Sequence, residues 1–179
     1  MIFKQLALER QSCRSFSSKE VDVEILKDIC KTATLAPSAC NSQPWILHIV
    51  NKDSSNLEKV RKACQVVGLN KFLNDVNNFI VIEQVAGNSS SKLGSTFGGN
   101  DLNSMDIGIL ASYVCFASQD YGLGTCMIGA FRKNIILDAM NFKKSQKVRM
   151  VIAVGYPTDN YPIRKKVRKD QEKTIVIDK

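Results

Sequence analysis

The ten residues Ala36-Pro-Ser-Ala-Cys-Asn-Ser-Gln-Pro-Trp45 join two segments of opposite character. Upstream, Asp22 can cap a helix running to about Leu35, with Ile25, Leu26, Ile29 and Ala33 on one face. Pro37 stops that helix, because proline disfavours helical backbone in the residue before it. Downstream, WILHIV from Trp45 to Val50 is short, apolar and β-branched, the pattern of a strand. Between them, two prolines stiffen a loop in which Ser38, Asn41 and Gln43 supply the polar groups. A rigid polar loop of this kind suits recognition of a small molecule. It equally suits a turn in which Ser and Asn bond their own backbone.

Moving outward, the same alternation continues. A second amphipathic helix is expected from about Ser55 to Val67, with Leu57, Val60, Cys64 and Val67 as its stripe and Gly68 as its stop. FIVIEQV, from Phe79 to Val85, reads as another strand. Ala86 to Asn100, rich in Gly and Ser, reads as a flexible lid or surface loop. Asp101 can cap a long helix from about Leu102 to Tyr121, stopped by Gly122, with Met105, Ile109, Ser112, Tyr113, Phe116 and Ala117 on one face. Ile107, Gly108, Leu110 and Ala111 make it small or apolar nearly all round, which implies deep burial or a subunit interface. A short helix over about Lys133 to Met140 precedes the strand VRMVIAVGY, and TIVID near the end reads as a last strand. Helices alternating with strands around one sheet give an α/β or α+β class.

The 179 residues, 44% hydrophobic and 23% charged, suit one domain with a single core. No apolar run approaches the roughly 20 residues that cross a bilayer. The opening MIFKQLALERQSCRSF lacks the apolar stretch of a secretion signal, so a soluble, cytoplasmic protein is expected. The six cysteines form no C-x-x-C, and the single histidine, His48, sits in an apolar strand. Reduced, mostly buried thiols and a structural histidine follow, and a zinc site does not. There is no G-x-S-x-G, no phosphate-loop signature and no complete G-x-G-x-x-G.

Two further segments carry chemistry. In Arg10-Gln-Ser-Cys-Arg14-Ser-Phe16, the alternate residues Arg10, Ser12 and Arg14 project from one side of an extended chain. Two guanidinium forks and a hydroxyl aimed at one place suit a phosphate or an electron-rich ring edge. An exposed strand with solvated arginines is the plainer alternative. Much of the net charge of +8 lies in Arg164-Lys-Lys-Val-Arg168-Lys. A solvated face and a nucleic-acid contact are the generic readings of such a run.

Together these segments resemble the FMN-dependent nitroreductase family along essentially the whole chain. Arg10, Ser12, Arg14 and Phe16 match its opening, APSACNSQPW its loop, and Asp106-Ile-Gly-Ile-Leu-Ala the start of its long helix. GLGTCMIGAF, VIAVGYP and the basic tail follow in family order. The resemblance implies an α+β fold of three α/β/α-like layers, with a central, mostly antiparallel sheet flanked by helices. It implies one domain over 1–179, with a basic arm and strand from about 157. It implies a homodimer with FMN between the subunits, NADH or NADPH as donor, and a small acceptor such as a nitroaromatic or quinone. One site used twice gives ping-pong turnover, with no catalytic side chain and no nucleic-acid or membrane partner. Arg10 and Ser12 would hold the phosphate and ribityl end, with Lys166 and Arg168 reaching the phosphate from the tail. Arg14 would face the pyrimidine edge. Pro37, Ser38, Asn41 and Gln43 would come from the other subunit, and the backbone of Ile128 and Gly129 would lie near the reactive side of the ring. The chain is short for this family and has Asn77-Asn78-Phe79 where many relatives carry a proline. A non-catalytic flavin- or nucleic-acid-binding protein is the rival reading.

Overall fold

A computed structural model describes residues 3–178. Met1, Ile2 and Lys179 lie outside the described residues of the expected 1–179 domain. Four strands form one antiparallel sheet in the order β1-β2-β4-β3: β1 Trp45–Val50, β2 Asn78–Gln84, β3 Gly124–Ile128 and β4 Lys147–Gly155. Among the described residues six α-helices accompany it: α1 Phe3–Glu9, α2 Val23–Ala33, α3 Leu57–Cys64, α4 Ser89–Gly98, α5 Leu102–Asp120 and α6 Lys133–Ala139.

Alternation along the strands divides the core into two. Phe79, Val81, Val151 and Ala153 face α3 and α6, packing with Val60, Ala63, Ile136 and Leu137. Ile80, Ile82, Ile152 and Val154 face α2 and α5, packing with Leu26, Ile29, Leu110 and Val114. Side chains on a strand point alternately to opposite faces, so a run buried at every position needs cover on both sides. The result is the expected α/β/α arrangement. Leu26 and Ile29 are fully buried, each worth roughly 1.5–3 kcal/mol of transfer from water.

Local chemistry sets the boundaries. The Asp22 carboxylate accepts from the Glu24 N–H at the start of α2. Asp101 does the same for Ser104 at the start of α5, and Gly122 takes a φ of +66° just past its end. His48 is structural: its Nε2 lies 2.9 Å from Glu83 Oε2, and Gln146 Nε2 donates to the other oxygen of Glu83 at 2.8 Å. All six cysteines are free and five are buried, with Cys40 exposed. Burial pushes the Cys30 and Cys64 thiols up to about 12.

Four expectations require correction. The Gly- and Ser-rich 86–100 stretch is no loop: Ser89–Gly98 is helical, capped by Asn88 Oδ1 accepting the Ser91 N–H. The helix after β1 ends at Cys64, so Val67 leaves the stripe and is 93% exposed with a φ of +50°. On α5, Met105, Ile109 and Tyr113 face outward, while Asp106, Ile107, Leu110, Ala111, Val114 and Cys115 face the core. Finally, Thr174–Asp178 pairs with no strand of this chain among the described residues, and Ile175, Val176 and Ile177 are exposed. Among the described residues, no helix is long and apolar enough to cross a membrane.

Candidate functional site

Both ends of the chain meet beside the tip of β3. After α1, the segment from Arg10 runs extended, and Ser12 bridges Thr125 in parallel pairing while the Cys13 N–H donates to the Thr125 carbonyl at 2.8 Å. Gly124 permits this approach, because a Cβ there would meet Cys13 Cβ at 2.7 Å. Phe16 then bridges Pro157 and is buried over Gly155. The segment is thus stitched to the sheet, and the side chains of Arg10, Ser12 and Arg14 are carried to one rim.

The C-terminal arm folds back onto that rim. Lys166 Nζ donates to the Arg10 carbonyl, and Arg164 Nη2 to the Ser12 carbonyl. Gln11 Oε1 accepts from both the backbone N–H and Nε of Arg164. Arg10, Gln11, Ser12, Arg14, Arg164, Lys166 and Arg168 line a cleft of about 330 Å³. None of its six cations, Lys165 included, pairs with a carboxylate among the described residues. Arg10 Nη2 has only the Cys115 sulfur at 3.3 Å, and its buried Nε has no partner. Burial, then the charges of Arg168, Arg10 and Arg164, hold Lys166 below the usual lysine value.

A cleft that gathers like charges and leaves a guanidinium donor orphaned is costly until an anion fills it. It offers forked and point donors together, the set that suits a phosphate. Each charge-assisted bond to such a group is worth roughly 1.5–3 kcal/mol.

The loop Pro37–Gln43 does not line this cleft. It sits at the other end of α5, where the Asp106 Oδ1 accepts the Ala39 N–H at 3.1 Å. Ser38 Oγ accepts the Gln43 N–H at 2.9 Å, and Gln43 Nε2 donates to Asn41 Oδ1 at 3.0 Å. Cys40, Asn41 and Gln43 have φ values of 53°, 49° and 45°. Left-handed backbone without glycine costs on the order of 1–3 kcal/mol per residue and needs surroundings that over-determine it. Here α4 helps, with Asn88 Nδ2 donating to the Cys40 carbonyl at 2.9 Å. Pro37, Asn41 and Gln43 remain exposed.

Ile128 and Gly129 also lie outside the cleft lining. Ile128 is buried in the core, so only its backbone is available, and nothing stands within 4 Å of a Cβ placed at Gly129. Within one chain, then, the cleft unites Arg10, Ser12, Arg14, Lys166 and Arg168 and leaves the other six expected residues elsewhere. Gln11 escaped the sequence reading. Its position between Arg10 and Ser12 was the sole hint, and a lone glutamine there carries no ligand signature.

The nitroreductase family model matches residues 7–69 and 65–156. A stretch of 53 residues, 30% of this chain, is 42% identical to iodotyrosine dehalogenase 1 homolog of Caenorhabditis elegans but spans 16% of that protein. Iodotyrosine deiodinase of Haliscomenobacter hydrossis is 22% identical over 98% of this chain and 88% of its own length. The FMN-dependent nitroreductase of Clostridium difficile R20291 superposes with a TM-score of 0.72 at 24% identity, over 97% of this chain and 98% of that one. The chain belongs to the nitroreductase family.

Proposed function

We propose that this protein is an FMN-dependent oxidoreductase acting as a homodimer. It would take hydride from NADH or NADPH and reduce a small organic acceptor such as a nitroaromatic or quinone. The observation that carries the reading is the cleft of six cations, drawn from both ends of the chain and without a carboxylate partner among the described residues, together with the unpartnered buried Nε of its Arg10. Its residues fit a ribityl phosphate: Arg10, Lys166 and Arg168 would hold the phosphate, with Ser12 beside the polyol and Arg14 toward the ring. Convergence of the cations on one recess favours a compact anion over the long, flat backbone of a nucleic acid. Bound FMN would supply the redox chemistry, accepting hydride from the nicotinamide and passing it on in a second, separate encounter.

The dimer has a geometric basis. Arg10 touches α5 at Cys115, and the loop touches it at Asp106, nine residues away. At a helical rise of about 1.5 Å, the two half-sites stand roughly 13 Å apart along the axis. The outward face of α5 carries Met105, Ile109 and Tyr113. Two such faces packed antiparallel about a two-fold would bring each cleft near the partner's loop. Asn41 and Gln43 of that loop would then supply polar groups to the ring, and the backbone at Gly129 would approach it closely.

The likeness to iodotyrosine deiodinases favours one other acceptor class, iodinated phenols. Purified protein should be yellow, bleach with NADH or NADPH, and recolour with an acceptor. Nitroaromatics, quinones and iodotyrosine added separately identify the class. A colourless protein that no FMN restores overturns the reading.

A further inference from the structure

Asp106 is only 3% exposed, on the core face of α5 beside Ile107 and Leu110. Its Oδ1 accepts from the Ala39 N–H, and its Oδ2 has no partner among the described residues. A carboxylate buried this way does little for stability, since one amide bond does not offset its removal from water. Its effect falls on the loop it holds.

That loop is clamped from two sides. From α4, Asn88 Nδ2 binds the Cys40 carbonyl and Ser91 Oγ lies 3.1 Å from Ser42 Oγ. From α5, Asp106 fixes the amide immediately before the left-handed run at Cys40 and Asn41. Gly87 closes the knot, because a Cβ there would meet Ser91 Oγ, Ser42 Oγ and Asn103 Oδ1 within 2.8 Å. Released at Ala39, the run would relax toward ordinary backbone, and Asn41 and Gln43 would swing from their present directions.

We infer that Asp106 is a positioning residue for flavin: its carboxylate, through the Ala39 N–H, holds Asn41 and Gln43 where they meet the ring. This rests on the FMN dimer proposed above. Because Asp106 acts at the ring and not at the phosphate cleft, its loss should weaken both flavins alike and spare the anion site.

The test titrates the dimer with FMN, riboflavin and inorganic phosphate. Asp106→Leu should raise the Kd of FMN and of riboflavin by the same factor, about tenfold for one lost charge-assisted bond. Its phosphate affinity and dimerisation should not change. Asp106→Asn, whose amide oxygen still accepts from Ala39, should bind like wild type and keep the Ala39 amide protected from hydrogen exchange. If the leucine variant does not fold, Asp106→Ala, which adds no bulk, carries the same expectation. Wild type that binds neither flavin overturns the functional reading, and this role with it. Wild type that binds flavin, beside a variant that binds it equally well or loses phosphate in parallel, overturns the role of Asp106 alone.

Discussion

Gln11 Oε1 accepts two hydrogen bonds from Arg164, from its backbone N–H and its Nε, each 3.1 Å long. Gln11 Nε2 returns one to the Pro162 carbonyl at 2.8 Å. One side chain therefore docks the basic arm against the segment that carries Arg10 and Ser12. Without it, the hydrogen bonds holding the arm beyond Pro162 among the described residues would be those of the Arg164 and Lys166 side chains to the Ser12 and Arg10 carbonyls.

Replacing this clasp should loosen the arm and spare the core. Gln11→Leu is expected to change stability by less than about 0.5 kcal/mol, as is usual for a surface site. Trypsin should cut after Arg164 to Lys169 far sooner than in wild type, and FMN should bind about tenfold more weakly. Timed digestion and a fluorescence titration measure the two effects.

The electrostatics of the cleft predict a pH dependence. Lys166 has a folded pKa below the ordinary 10.5, so stability rises as pH climbs through the folded value toward the ordinary one. A bound dianion acts in the opposite sense, favouring the ammonium form. Affinity for inorganic phosphate should therefore fall as pH rises through the lowered pKa of Lys166, before ordinary lysines discharge. Lys166→Met should bind phosphate more weakly and lose that fall, as calorimetry across the alkaline range would register.

Two glycines separate fold from site. Gly124→Ala forces a methyl group against Cys13 and Pro157, and such overpacking costs roughly 1–3 kcal/mol. It should lower Tm and displace Ser12 and Arg14, weakening FMN binding. Gly129→Ala meets open space and should leave Tm unchanged. In the proposed dimer it should nevertheless weaken FMN, because its methyl group would stand where the ring would approach the backbone. Melting curves and flavin titrations of both variants check this contrast.

The outward face of α5 tests the assembly. Ile109 is 38% exposed in the single chain. Ile109→Asp should leave the fold intact, yet yield a monomer by sedimentation that retains phosphate binding and loses flavin. A variant that stays dimeric and yellow would count against pairing through α5.

The fold was largely legible because its signals are local. WILHIV becomes β1 residue for residue, and Asp22 and Asp101 cap the helices that their positions suggest. What was illegible depended on tertiary context. Ser89–Gly98 has poor intrinsic helicity and is ordered by Asn88 and by Ser91 packing on Ser42. On α5, apolar residues surround the axis, so periodicity alone could not select the buried side, and the core took the smaller face with Leu110, Ala111 and Val114. The convergence of Arg10, Ser12, Arg14, Lys166 and Arg168 was expected through family likeness, since no spacing rule links residues so far apart. The contributions of Gln11 and Arg164 became visible only once the arm was seen folded.

The most direct measurement compares FMN with riboflavin, which lacks only the phosphate, in the same wild-type protein at several salt concentrations. With Arg10, Lys166 and Arg168 on that phosphate as proposed, FMN should bind at least about a hundredfold tighter, the worth of one to two charge-assisted bonds, with the advantage shrinking as salt rises. Equal affinity for the two flavins at low salt would contradict it.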